Sequence, residues 1–228
     1  MKSINQTIYP MLKASFVITL LSACGSSDKV IIDILDDIEP KQRASISYVN
    51  SLDRSSTFYT KSTVYPNSVF SSEHRVTEIL ANHASTALTH KWIDGAGETK
   101  LAFEDSNTAS ERKTTTTDLQ DTKRYWTVAW EHDGKPELSI FEKTPANVAN
   151  KYSVRVFANS NMDVWLIPGQ QLIALAKTGE ASNSFTVEGC GDLQVGSHQV
   201  DLCQSADFGR SYLVVISNES GSVVIAQE

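Results

Sequence analysis

The sequence predicts an all-β fold, with two related antiparallel β-sandwich domains in tandem after a signal peptide and an acidic tether. Three observations lead to this prediction. Short segments rich in β-branched and aromatic residues, such as YWTVAW and YLVVIS, follow one another from residue 43 onward. Turn-forming dipeptides such as Asp-Gly and Pro-Gly separate these segments. The pattern of residues 123–142 also returns at 209–228.

The first 23 residues have the organisation of a secretory signal peptide. Lys2 and Lys13 supply positive charge, and an apolar stretch runs from Ala14 to Leu21. This stretch is too short for a membrane-spanning helix, which needs about 20 apolar residues. Small residues follow it and lead directly into Cys24. The sequence therefore predicts an exported chain.

The segment Leu21-Ser22-Ala23-Cys24 resembles the lipobox of bacterial lipoproteins. In that family the cysteine thiol receives a diacylglyceryl group, the preceding peptide bond is cut, and the new amine is acylated, commonly with palmitate. The resemblance implies that Cys24 is lipidated and that its acyl chains bind the membrane, since two or more chains anchor stably. Gly25 stands where an Asp favours the inner membrane, so the outer membrane is expected. The alternative is an ordinary signal peptide with a chance cysteine.

Residues 24–42 are predicted to form an acidic tether between the lipid and the folded part. Ile31, Leu35 and Ile38 lie at helical spacing, and Pro40 would end such a helix. A short amphipathic helix and a flexible spacer both remain open. In either case the tether holds the folded part away from the bilayer.

Several segments of the folded part have more than one interpretation. Residues 74–84 and 170–179 fit either short helices, with Gly179 past the end of the second, or strands. The threonine-rich segment 111–118 is predicted to be an exposed edge strand, whose basic residues guard against edge-to-edge pairing.

An internal repeat defines the predicted domains. KRYWTVAWEHDGKPELSIFE at 123–142 and GRSYLVVISNESGSVVIAQE at 209–228 share a tyrosine, an apolar strand, a turn with glycine and a second apolar strand. Tyr125 thereby corresponds to Tyr212. The predicted boundaries are 43–142 for the first β-sandwich domain, 143–150 for a linker and 151–228 for the second domain. The alternative is one long sandwich whose hairpins are alike because hairpins generally are.

The two predicted domains open with similar residues. These are Val49-Asn50-Ser51 followed by Asp53, and Ala158-Asn159-Ser160 followed by Asp163. The pattern resembles a bacterial envelope β-sandwich family known only as a domain of unknown function, whose members often occur in tandem in lipoproteins and surface proteins. The family pattern continues with Pro-Asp-Ala-Pro, which both halves lack. The resemblance implies a fold and no activity.

Two cysteines, Cys190 and Cys203, follow the lipidation site. An even count in an exported chain predicts a disulfide between them. Closing a loop of this size would stabilise the fold by about 3 kcal/mol. The alternatives are two free thiols, or a metal site with His198 as a third ligand, although zinc needs about four ligands. We therefore expect no metal.

Composition and motifs argue against several functions. The net charge of −7 disfavours nucleic acid, which selects basic surfaces. The histidines lack metal-binding spacing, and no Gly-x-Ser-x-Gly nucleophile motif is present. We therefore expect no catalytic residue and no cofactor. The alternatives are an envelope glycan hydrolase, which would need two carboxyl groups about 5 to 9.5 Å apart across a cleft, and a small-ligand carrier.

Three tryptophans are the candidates for an interaction surface. Trp126 and Trp130 face one side of the same predicted strand, and Trp165 lies in the second half. Exposed aromatic rings stack on sugars or anchor a partner, whereas a tryptophan face opposite smaller residues favours the core. The predicted role is non-catalytic binding, adhesion or scaffolding by a lipid-anchored protein of the outer membrane, directed at an envelope protein or a polysaccharide.

Replacing the lipidation site tests the predicted anchor. Because a serine hydroxyl does not substitute for the thiol, Cys24→Ser should leave the precursor uncut and without labelled palmitate. Membrane fractionation and the mass of the chain measure both effects. Cys190→Ser is the matched control and should still be lipidated. Released protein of mature size from Cys24→Ser would contradict the lipobox.

Overall fold

The computed structural model describes residues 42–93, 97–218 and 220–228. It confirms the predicted all-β class, because this part of the chain contains one short 3-10 turn, Ser72–His74, and no α-helix. The predicted signal peptide, its lipobox cysteine Cys24 and nearly all of the tether lie outside the described residues.

Short strands follow one another along the whole described chain. Their bounds are β1 Gln42–Asn50, β2 Ser56–Ser62, β3 Arg75–Ile79, β4 His83–Ala84, β5 Leu88–Trp92, β6 Thr99–Asp105, β7 Arg112–Thr117, β8 Arg124–His132, β9 Lys135–Glu142, β10 Tyr152–Ala158, β11 Met162–Leu166, β12 Gln171–Ala176, β13 Phe185–Val187, β14 Leu193–Val195, β15 His198–Val200, β16 Ser211–Ser217 and β17 Ser222–Gln227.

The described strands form four sheets, two in each half of the chain. In the first half, β5, β1, β8 and β9 lie side by side, with β4 also paired to β1, and the second sheet has the order β3-β2-β6-β7. In the second half the orders are β13-β10-β16-β17 and β12-β11-β14-β15. Two ladders, β1–β8 and β10–β16, are parallel, and the others are antiparallel. Within the described part, no ladder joins a strand of one half to a strand of the other.

The two halves share the same order of strands, although β4 has no counterpart among the named strands of the second half. The sheet order of β10–β17 reproduces that of β1–β9 when β13 takes the place of β5. The register agrees as well, because Ile46 lies opposite Tyr125 in the first half and Val154 lies opposite Tyr212 in the second. The two tyrosines that the sequence repeat aligns therefore occupy the same place in their sheets.

A shared irregularity strengthens this correspondence. The β2–β3 ladder shifts register between Phe58 and Tyr59, and the β11–β12 ladder shifts between Val164 and Trp165. A β-bulge of this kind is a specific local feature rather than a general property of hairpins. Trp165 is therefore the counterpart of Tyr59.

Each half has its own core, and a third cluster joins them. One cluster draws its buried residues from both sheets of the first half, and another from both sheets of the second half. The third contains Trp126 and Trp130 from β8 together with Phe157 and Leu213 from β10 and β16. Consequently β8 and β16 are buried on both faces, which is why they read as continuous apolar runs.

The segments with two interpretations are strands. The segment at 74–84 contributes β3 and β4, and the segment at 170–179 contributes β12. Each gains ladder partners that a short isolated helix would lack. Gly179 is not a helix end: its φ of +72° belongs to a tight connection, and a Cβ there would lie 2.6 Å from Cζ2 of Trp130. The predicted edge strand is β7, whose residues alternate between exposed and half-buried.

The predicted disulfide is present. Cys190 and Cys203 are bonded, with Cα atoms 4.9 Å apart. The backbone N–H of Leu202 also donates to the carbonyl of Cys190 at 2.8 Å. The bond therefore closes the loop that contains the β14–β15 hairpin.

The two corresponding tyrosines make the same hydrogen bond. The hydroxyl of Tyr125 accepts from the backbone N–H of Gln120 at 3.0 Å, and that of Tyr212 accepts from the N–H of Asp207 at 2.6 Å. Both bonds fix the chain five residues before the tyrosine. They tie the loop that enters β8 or β16 to the sheet.

Removing these hydroxyls tests the equivalence of the halves. Tyr125→Phe and Tyr212→Phe should each lower the free energy of unfolding by about 1 kcal/mol, the net value of one hydrogen bond. Urea unfolding measures the change. Tyr152→Phe is the control, because no hydrogen bond of its hydroxyl occurs among the described residues. A loss confined to one of the two halves would contradict the shared role.

Candidate functional site

The structure corrects the predicted interaction surface at Trp126 and Trp130. Their residues are 1% and 7% exposed, and both belong to the cluster between the halves. The indole Nε1 of Trp130 donates to Ser139 at 3.0 Å, and that hydroxyl donates to the carbonyl of Gly179. Because the second half covers this face of β8, neither ring forms an exposed surface for a macromolecular partner.

Trp165 is half-buried at the rim of a shallow groove. The groove has a volume of about 270 Å³ and is lined by Trp165, Leu166, Ile167, Gln170 and Gln194. Beside it runs β12, the edge strand of its sheet. This tryptophan is therefore the part of the predicted surface that remains a candidate.

The edge strand β12 is apolar and exposed. Leu172 and Leu175 are 51% and 52% exposed, and the strand carries no charge. The shared bulge places Leu172 at the position of Arg75 and Leu175 at the position of Glu78 in β3. Those two residues form an ion pair of 2.8 Å on the first half's edge. Strand β12 thus has two leucines at the positions where the equivalent strand β3 has two charged residues.

A cleft of about 670 Å³ lies between residues of the first half and β17 of the second half. It is lined by Ser47, residues 82–87, Arg124, Trp126, Lys143 and residues 223–228. Its volume is typical of small-molecule sites.

Lys143 is the central charged group of this cleft. The residue is only 9% exposed, and its Nζ lies 3.5 Å from the ring centroid of Trp126. Nζ donates to Oγ of Ser47 at 2.8 Å. Burial lowers the pKa of Lys143 to about 8 by disfavouring the ammonium, an effect that Glu228 opposes and Arg124 reinforces. Among the described residues, no carboxylate lies within ion-pair distance of Lys143.

The second half has an ion pair at the positions equivalent to Ser47 and Lys143. Lys143 and Glu228 correspond, because their backbone N–H groups donate to the carbonyls of Arg124 and Ser211, which are equivalent positions of β8 and β16. Ser47 corresponds in the same register to Arg155. Arg155 and Glu228 form a buried ion pair of 2.9 Å. The first half therefore places a serine and a lysine where the second half has two opposite charges.

Sequence reasoning missed this site. Ser47 and Lys143 are 96 positions apart, and Lys143 falls in the predicted linker 143–150. The sequence repeat did not contain this signal, because aligning Tyr125 with Tyr212 and Gly134 with Gly221 sets Phe141 against Glu228. The correspondence of Lys143 with Glu228 follows from the ladder register instead.

The cationic side chains of Lys143 and Arg124 suit the cleft to binding an anion. Ser47 is 2% exposed, so its hydroxyl supports the ammonium rather than facing a substrate. Glu228 is the one carboxylate among the described lining residues, and Arg155 already holds it. In the described part of the chain, no group of three or more His, Cys, Asp or Glu residues is arranged to hold a metal ion.

Comparison with known proteins gives no family. No family model matches the chain, and no curated protein matches it. Among the residues with a described structure, none forms a helix long and apolar enough to cross a membrane.

The low pKa of Lys143 predicts a specific pH dependence of stability. Between pH 8 and about 10.4, the unfolded chain keeps this lysine protonated while the folded chain does not. The stability of the wild type relative to Lys143→Met should therefore rise with pH by about 2 to 3 kcal/mol across that window, at about 1.4 kcal/mol per unit. Below pH 8 Lys143 is protonated in both the folded and the unfolded chain, so the full cost of burying its ammonium remains.

Urea unfolding of both proteins at pH 7.5, 9 and 10.5 measures this difference. Arg124, Glu228 and His83 face the same cleft but are common to both proteins, so their titration largely cancels. Lys123→Met is the control, because Glu142 raises the pKa of the exposed Lys123 and no rise is expected. A pH-independent difference for Lys143→Met would contradict the prediction.

Proposed function

We propose that this chain is an exported, lipid-anchored protein of the outer membrane with a non-catalytic binding role. In this proposal the two halves, 43–142 and 151–228, are related β-sandwich domains joined by 143–150. Cys24 carries the acyl chains. The second domain recognises a partner protein through the edge of β12 and the adjoining groove at Trp165. The matching strand order, register and bulge of the halves support the tandem arrangement.

The exposed edge of β12 is the observation that carries the proposed binding role. An edge strand presents unpaired backbone N–H and C=O groups that can pair with another chain. Charges protect the other long exposed edges, as in β3, β7 and β9. The uncharged β17 has no strongly exposed apolar residue, whereas β12 exposes two leucines.

The partner that fits this edge is an extended peptide segment with apolar side chains. Strand addition obtains its affinity from backbone hydrogen bonds and its specificity from pockets for alternate side chains. The groove at Trp165, with Ile167 exposed beside it, offers such a pocket. A glycan stacking on Trp165 is the competing occupant.

Site-specific cross-linking in the intact envelope tests the proposal. A photo-reactive amino acid at position 174 of β12 should give a discrete covalent adduct with a protein. The same residue at position 77, the equivalent position of β3, should give none. Mass spectrometry identifies what is attached.

The first half supplies the matched loss-of-function variant. Leu172→Arg with Leu175→Glu places the ion pair of β3 on β12. This variant should lower the yield of the adduct at least tenfold. Its melting temperature should not fall, because both leucine side chains are exposed in the wild type. Equal adducts from both edges, an unchanged adduct in the charged variant, or a glycan in place of a protein would contradict strand addition.

A further inference from the structure

We propose that the cleft at Lys143 binds a small hydroxylated carboxylate, whose carboxylate group pairs with the Lys143 ammonium. This site is lined by residues of both halves and goes beyond partner binding at β12. Its ligand is a small molecule rather than a polypeptide.

The first argument is an unbalanced charge. Buried charged groups are ordinarily paired with an opposite charge, because desolvation of a lone ion is costly. Among the described residues, the close partners of Lys143 are the hydroxyl of Ser47 and the ring of Trp126. The corresponding position of the second half is a carboxylate paired with Arg155. A ligand carboxylate would give Lys143 the counter-charge that its own half does not supply.

The second argument is the space beside this charge. In the second half, the guanidinium of Arg155 donates to the carbonyls of Ser182 and Glu142 at 3.1 and 3.0 Å, as well as to Glu228. In the first half the equivalent residue is Ser47, whose side chain is far shorter. The cleft of about 670 Å³ lies where the longer side chain is missing.

The third argument is the polarity of the lining. Arg124 is exposed at the cleft and has no carboxylate within ion-pair distance among the described residues. The neutral part of the lining includes the hydroxyl residues Ser85 and Thr86. Hydroxyl groups donate and accept, so a hydroxylated carboxylate matches both the cationic and the neutral part of the lining.

Calorimetric titration of the full chain with three probes tests this assignment. D-Glucuronate carries a carboxylate and hydroxyls, D-glucose carries hydroxyls alone, and inorganic phosphate is a different oxyanion. Glucuronate should bind at least tenfold more tightly than glucose. The indole N–H resonance of Trp126 should shift on binding, which locates the ligand in the cleft.

Four variants separate binding from folding. Lys143→Met should weaken glucuronate binding at least about tenfold, as expected for the loss of a buried charge partner. Lys143→Arg should retain binding, and Ser47→Arg should abolish it by filling the cleft. Lys123→Met, which removes an exposed lysine paired with Glu142, should bind as the wild type does. Circular dichroism melting establishes that each variant is folded.

Several outcomes would overturn the site. These are equal binding of glucose and glucuronate, unchanged affinity in folded Lys143→Met, phosphate binding without glucuronate binding, and no binding of glucuronate at millimolar concentration. The charged β12 variant should bind glucuronate normally, so that failure of this site and failure of partner recognition can be distinguished.

Discussion

The parallel pairing of an opening strand with a late strand is the constraint on which both halves depend. β1 pairs with β8, and β10 pairs with β16, so each half is closed by strands from its two ends. The intervening chain must then supply an edge strand and a second sheet over the core. β8 and β16 also face the other half, and the cluster around Trp126 and Leu213 fills the space between them. A charge directed into that cluster would therefore disturb both halves.

The repeat separates what the fold requires from what it does not. The bulge before Tyr59 and Trp165 and the hydroxyl bonds of Tyr125 and Tyr212 are kept in both halves. Other equivalent positions differ sharply in charge, above all on the edge strands β3 and β12 and at the cleft. Since these positions share the same strand register in both halves, the fold alone does not account for these differences. They are therefore the positions on which both proposed binding sites rest.

Local patterns were sufficient for the class of fold but not for its sites. Alternation and turn residues predicted the strands, and the sequence repeat correctly aligned Tyr125 with Tyr212. The sequence left Trp126 open between surface and core, because the covering residues come from the other half of the chain. The sequence did not predict the contact of Ser47 with Lys143, because this contact depends on the strand pairing that brings distant residues together. Segments 74–84 and 170–179 needed partner strands to be distinguished from helices.

The buried lysine shows how function can be distinguished from stability in such a repeat. Stability alone would favour either an apolar residue or a complete ion pair at this position, and the second half has the ion pair. Lys143 instead has a lowered pKa and no carboxylate within ion-pair distance among the described residues, so we expect it to make the native state less stable at neutral pH than a matched apolar side chain would. The ring of Trp126 and the hydroxyl of Ser47 reduce this cost without removing it. A destabilising charge beside an open cleft is the pattern expected when the missing partner is a ligand.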